Sequence, residues 1–172
     1  MKTILVASDL SARSDRAIAR AAELARQHNA RLIVLHVVDE ELPSALADRQ
    51  VEDAKRALAV AVAALPHADA LFSEVRVVIG EHYLTILAET EASDVDLVVV
   101  GQHRKDVLLD LFRGSTGERI VRFGNRPVLI VKSAVTHSYV RTLAAVDFSD
   151  PCKRAIDCRT LSHRRHQIGT CF

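Results

Sequence analysis

The sequence predicts an α/β fold built on a doubly wound, five-stranded parallel sheet. Three observations carry that expectation. Short apolar runs alternate with stretches whose apolar residues recur at helical spacing. The second run, Leu32 to Val38, shows no apolar–polar alternation, which marks a strand buried on both faces. Each run ends in a polar or glycine break, as a strand feeding a crossover helix requires.

The elements follow in order. Ile4-Leu5-Val6-Ala7 is the first strand and ends at Ser8-Asp9. Ser11 stands where an N-cap belongs, before a helix from Ala12 to His28 with Ala17, Ile18, Ala21, Leu24 and Ala25 on one face. Leu32 to Val38 is the second strand. An Ala-rich helix runs from Ser44 to Leu65 and stops at Pro66, which cannot continue it. Glu74 to Ile79 holds the third strand, followed by Gly80 and a helix over Tyr83 to Glu91. Val95 to Val100 is the fourth strand, ending at Gly101. Gln102 to Arg113 reads as a loop, and Gly114-Ser115-Thr116 opens a helix to Phe123. After a turn at Gly124-Asn125-Arg126, Pro127 to Val131 is the fifth strand. In such a sheet ligands bind beyond the carboxyl ends of the strands, where strand order reverses. The regions to search are Ser8-Asp9, Val37 to Asp39 and everything after Val100.

Composition narrows the function. A net charge of +1 gives no overall field for nucleic acid or an anionic membrane. Two Tyr, five Phe and no Trp leave few stacking platforms for single strands. No apolar run approaches the roughly 20 residues of a bilayer span, and Met1-Lys2-Thr3 leads straight into a strand rather than a signal peptide. The expected location is the cytoplasm. All three cysteines, Cys152, Cys158 and Cys171, lie near the C-terminus, so the main domain has no disulfide framework.

The chain contains an internal repeat. Residues 4–18, ILVASDLSARSDRAI, match residues 142–156, TLAAVDFSDPCKRAI, at seven of fifteen positions. The expected organisation is therefore a domain over 1–132, a polar linker over 133–140, the start of a second repeat over 141–157 and an irregular tail over 158–172. The tail's Cys and His residues match no standard zinc spacing, and no metal site is assigned. A reading-frame change in a tandem gene would explain the break; absence of second-domain coding sequence in another frame downstream would refute it.

Several residues could carry chemistry. Asp9 ends the first strand, where a carboxylate can accept hydrogen bonds from an adenine amine or ribose hydroxyl; its structural alternative is to cap the next helix. Gly114-Ser115-Thr116 precedes a helix whose free N–H groups suit an anion; the alternative is an ordinary glycine turn with a Ser cap. His36 and His103 read as structural or solvent-facing. GxSxG, HExxH and P-loop lysine motifs are absent, and Ser115 has no evident base partner.

The stretch VVVGQHRKDVLLDLFRGSTGERIVRFGNRPVLIVK resembles the C-terminal half of a universal stress protein domain. ILVASDLS and LIVLHVVD resemble that family's first and second strands. The resemblance implies a Rossmann-like, adenine-nucleotide-hydrolase-like fold and a stress-response binding module. It implies ATP as ligand, with magnesium only as the nucleotide's companion. Asp9 and Val37 fall on the family's adenosine-side contacts, with Val100 beside the first glycine. Gly101, Gly114 and Ser115 fall on the loop's first glycine, third glycine and hydroxyl positions, with Thr116 next. Arg104 stands at the middle glycine. There it either fills the pocket and excludes ATP, as in the branch lacking the glycine pattern, or pairs with a phosphate from the rim. Family members also dimerise through the last strand, here Pro127 to Lys132. A slow ATPase and a scaffold acting through protein contacts are the competing functions.

Overall fold

A computed structural model describes residues 1–102 and 116–139 of the chain. Five strands, β1 (Thr3–Ala7), β2 (Arg31–Val38), β3 (Ser73–Ile79), β4 (Leu97–Gly101) and β5 (Val128–Val131), form one sheet in the order β3-β2-β1-β4-β5. Every neighbouring pair is parallel. The helices are α1 (Ala12–His28), α2 (Ser44–Ala63), α3 (His82–Ala92) and α4 (Thr116–Phe123). A single 3-10 turn at Ala68–Ala70 has no counterpart in the sequence reading.

The strands alternate strictly, although their composition does not. Ile4, Val6, Leu32, Val34 and Val99 join α1 and α2 in one apolar layer. Leu5, Ile33, Leu35, Val37, Val98 and Val100 join Ile86 of α3 and Ile120 of α4 in the other. Both faces of the central strands are therefore dry, at roughly 2 kcal/mol for each large apolar side chain buried.

Helix α1 begins and ends where the sequence places it. Ser11 caps it, and Ser14 returns a hydroxyl bond to the cap, the role usually taken by Glu or Gln. Asn29 closes it in the left-handed region at φ 51°, which Asn tolerates. Helix α2 stops at Ala63, before Pro66. The fourth strand starts at Leu97 rather than Val95. Val95 donates its N–H to Thr90 O at the end of α3, and the Asp96 carboxylate takes the N–H groups of Lys2 and Thr3. Burial raises the Asp96 carboxyl, but those two bonds and the N-terminal charge outweigh it and hold it below its ordinary value. Pro127 lies outside β5 because it has no N–H for the ladder; its carbonyl accepts from Val98. No helix among the described residues is long and apolar enough to cross a membrane.

Candidate functional site at the carboxyl edge of the sheet

The strand order reverses at β1. After β1 the chain crosses to the α1 face; after β4 it crosses toward the α4 face. Connections diverging from adjacent parallel strands leave a crevice above them. Register places Ala7 level with Leu35 and with Val100. Beyond that level the chain turns out of the sheet after Ser8 at Asp9, while β2 continues through Val37 to Val38 and β4 ends at Gly101. Helices that return between parallel strands start at this edge, so α1 and α4 both begin here.

The turn from Ser8 to Ser11 is internally bonded. Ser8 is buried, and its N–H donates to Leu35 O at 2.8 Å. Its hydroxyl bonds Ser14 Oγ at 3.1 Å and accepts the Leu10 N–H at 3.1 Å. Leu10 sits at φ 58°, a left-handed conformation that a side chain adopts at a cost of about 1 kcal/mol. Asp9 Oδ1 accepts both the Ser11 N–H (3.0 Å) and the Ser11 hydroxyl (2.5 Å). Partial burial raises the Asp9 carboxyl, but the bonds from Ser11 and Ser14 and the charge of Arg13 prevail, so it lies below its ordinary value. Asp9 is thus an exposed, ionised carboxylate in a fixed orientation. It supports the helix cap through Ser11 rather than capping α1 itself.

His36 takes part in the same turn. Its Nδ1 lies 2.8 Å from Ser8 O. A carbonyl only accepts, so Nδ1 carries the proton and donates. This is the structural role expected for His36, at a place that bears on Asp9.

Val37 and Val100 are both buried in the apolar layer with Ile86 and Ile120, so their side chains belong to the core rather than to an open wall. Gly101 has a reason to be glycine that the sequence comparison misses. A Cβ built on it would lie 2.9 Å from Arg13 O, 3.0 Å from Arg13 C and 3.2 Å from Ser14 N. The end of β4 meets the backbone of the first turn of α1, and no side chain fits between them. Thr116 opens α4 with an exposed side chain. Arg104, Gly114 and Ser115 lie outside the described residues, as do Cys152, Cys158, His163, His166 and Cys171. Among the described residues, no group of three or more His, Cys, Asp or Glu side chains could hold a metal ion.

The structure thus brings Asp9, Val37, Val100 and Gly101 to one edge. It adds Ser14, which sequence reasoning does not single out, and joins Ser8 to His36, which it names only separately. Ser14 carries a signal in retrospect, three residues after the cap, where capping boxes have their second member. The bond between Ser8 and His36 carries none, because it joins residues 28 positions apart.

A parallel α/β sandwich with an anchored acidic turn at its switch point defines a nucleotide-type binding fold. The model of the universal stress protein family matches residues 1–132, and the chain belongs to that family. A universal stress protein of Thermus aquaticus is 34% identical over 141 residues, covering 76% of this chain and 98% of the relative. The universal stress protein of Archaeoglobus fulgidus in complex with dAMP superposes with a TM-score of 0.58 at 26% identity, over 76% of this chain and 97% of that one. A universal stress protein in complex with cAMP gives 0.56 at 28% identity, over 77% and 98%.

Proposed function

We propose that the chain is a stress-response binding module that holds an adenosine phosphate across the carboxyl edge of β1, β2 and β4 and does not turn it over. The observation that carries this reading is the anchored, ionised Asp9 at the carboxyl end of β1, the strand that lies between β2 and β4. Relatives of the same fold crystallised with dAMP and cAMP support it. Asp9 would accept from the ribose or adenine, and Val37, Val100 and Gly101 would line the nucleoside. Arg104, Gly114, Ser115 and Thr116 would meet the phosphate.

Arg104 would decide the phosphate count. A guanidinium at the position of the middle glycine suits one phosphate, which it can pair in bidentate fashion. On the family's loop pattern it would also fall where a triphosphate and its magnesium run. Calorimetric titration of the full chain with dAMP, cAMP and ATP tests this. Binding of the monophosphates is expected, with ATP bound only by Arg104→Gly. Silence of both proteins toward all three would overturn the nucleotide reading in favour of a protein-contact scaffold. Phosphate release from ATP would overturn the absence of turnover.

Two further readings belong to the same proposal. β5 is an edge strand of the sheet, and a homodimer would pair Pro127 to Lys132 with a second copy; light scattering at the monomer mass would refute it. Residues 141–157 would correspond in sequence to the start of a tandem repeat of the domain, in a cytoplasmic protein.

A further inference from the structure

The sequence reads 133–140 as a polar linker, and the family match ends at residue 132. The described residues from that point on meet α1 at two places, Lys132 and His137 to Tyr139. Lys132 O accepts from Arg16 Nη1 at 3.3 Å. His137 O accepts from Arg20 Nη1 at 3.0 Å. Ser138 Oγ accepts from Gln27 Nε2 at 2.8 Å. The Arg20 guanidinium also lies 4.1 Å from the centroid of the Tyr139 ring. Arg20 is 6% exposed and pairs with the equally covered Glu23. A buried arginine is stable only when its donors and charge are met, and the segment meets part of both.

The order of these contacts gives a direction. Residues 132, 137 and 138 meet residues 16, 20 and 27, so the segment runs broadly along α1, with the Tyr139 ring back against Arg20. Because α1 starts at the carboxyl edge, the segment starts beside Asp9's edge and descends toward the opposite end of the sheet.

We propose that residues 132–139 are a strap belonging to the folded domain, laid along α1 and closed by an Arg20–Tyr139 clasp. This inference stands independently of any ligand.

Native-state trypsin digestion of the full chain tests it, with cleavage after Lys132 followed by mass spectrometry. Cleavage there requires the strap to lift, so its rate follows the open population. Tyr139→Ala is expected to accelerate it about fivefold, the size of a partly desolvated cation–π contact. Tyr139→Phe keeps the ring and is expected to cut at the wild-type rate. Arg20→Gln is expected to cut at least as fast as Tyr139→Ala, and the double variant no faster than Arg20→Gln alone. Tyr139 is half-exposed, so its two variants decide the matter even if Arg20→Gln fails to fold. Equal cutting of wild type, Tyr139→Ala and Tyr139→Phe would overturn the strap. Cutting of Tyr139→Phe as fast as Tyr139→Ala would overturn the clasp.

Discussion

Replacing Gly101 by alanine separates two reasons for a glycine at the head of a ligand loop. A glycine kept for a phosphate costs the fold nothing when it changes. A glycine kept for packing does. Here the added methyl would sit 2.9 Å and 3.0 Å from the carbonyl of Arg13, against ordinary contacts of about 3.4–4 Å. Both atoms are backbone, in the first turn of α1, and no rotamer change relieves them. Either the end of β4 or the start of α1 must move by several tenths of an ångström. Overpacking of this kind costs about 1–3 kcal/mol. With a urea dependence of about 2 kcal/mol per molar, the unfolding midpoint of Gly101→Ala should fall by about 0.5–1.5 M at unchanged slope. Gly117→Ala is the control, since a Cβ there meets nothing within 4 Å. That variant should be unchanged or up to about 1 kcal/mol more stable. If Gly101→Ala unfolds at the wild-type midpoint, the packing explanation is wrong and the glycine serves the crevice alone.

The remaining predictions concern charge and the turn. Glu74 lies between Arg76 and Arg31, whose hydrogen bonds and charges hold its carboxyl at about 2 against an ordinary 4.5. Because the folded value is the lower, this stabilisation is complete above pH 4.5 and is lost as pH falls from there toward 2. The pair is open to solvent, so the loss is about 1 kcal/mol, and Glu74→Gln should flatten that part of a stability–pH curve. On the proposed function, Asp9→Asn keeps an acceptor for Ser11 but loses the charge. Its unfolding midpoint should stay close to wild type while dAMP affinity falls about tenfold; unchanged affinity would remove Asp9 from the site. His36→Leu should speed amide exchange at Leu10, whereas His36→Asn, with a donor near the Nδ1 position, should restore protection; no difference between the two would dismiss the His36–Ser8 bond.

The sheet and its helices are legible because their signals are local and mutually consistent. Unbroken apolar runs, the Ser11 cap and the apolar stripe of α1 each point to the same parallel sandwich. Element ends are less legible where a distant partner sets them. Thr90 takes the Val95 N–H and Asp96 turns to Lys2 and Thr3, so β4 starts two residues later than its hydrophobicity suggests. The candidate site divides along the same line. Asp9, Val37, Val100 and Gly101 are legible because parallel sheets bind ligands at one edge. The bond between Ser8 and His36 is not, since it exists only once β1 and β2 are paired. The strap is hidden for the same reason: Ser133 to Tyr139 is polar enough to read as a linker, and only Arg20, buried on a helix 17 residues long, shows what it covers.

Gly101 and Asp9 show how closely fold and site are joined at this edge. The absent side chain of Gly101 lets β4 touch the first turn of α1. That contact helps set where α1 begins, and hence where Ser11 presents its N–H and hydroxyl. Ser11 in turn holds Asp9 Oδ1 by two bonds. The carboxylate is therefore oriented before any ligand arrives, at the expense of a left-handed Leu10 that the Ser8 hydroxyl secures. An acceptor fixed in this way need not be reordered on binding, which removes one of the usual costs of association. It also means that substitutions at Ser8 or His36 should affect the crevice through the position of Asp9, without touching a ligand themselves.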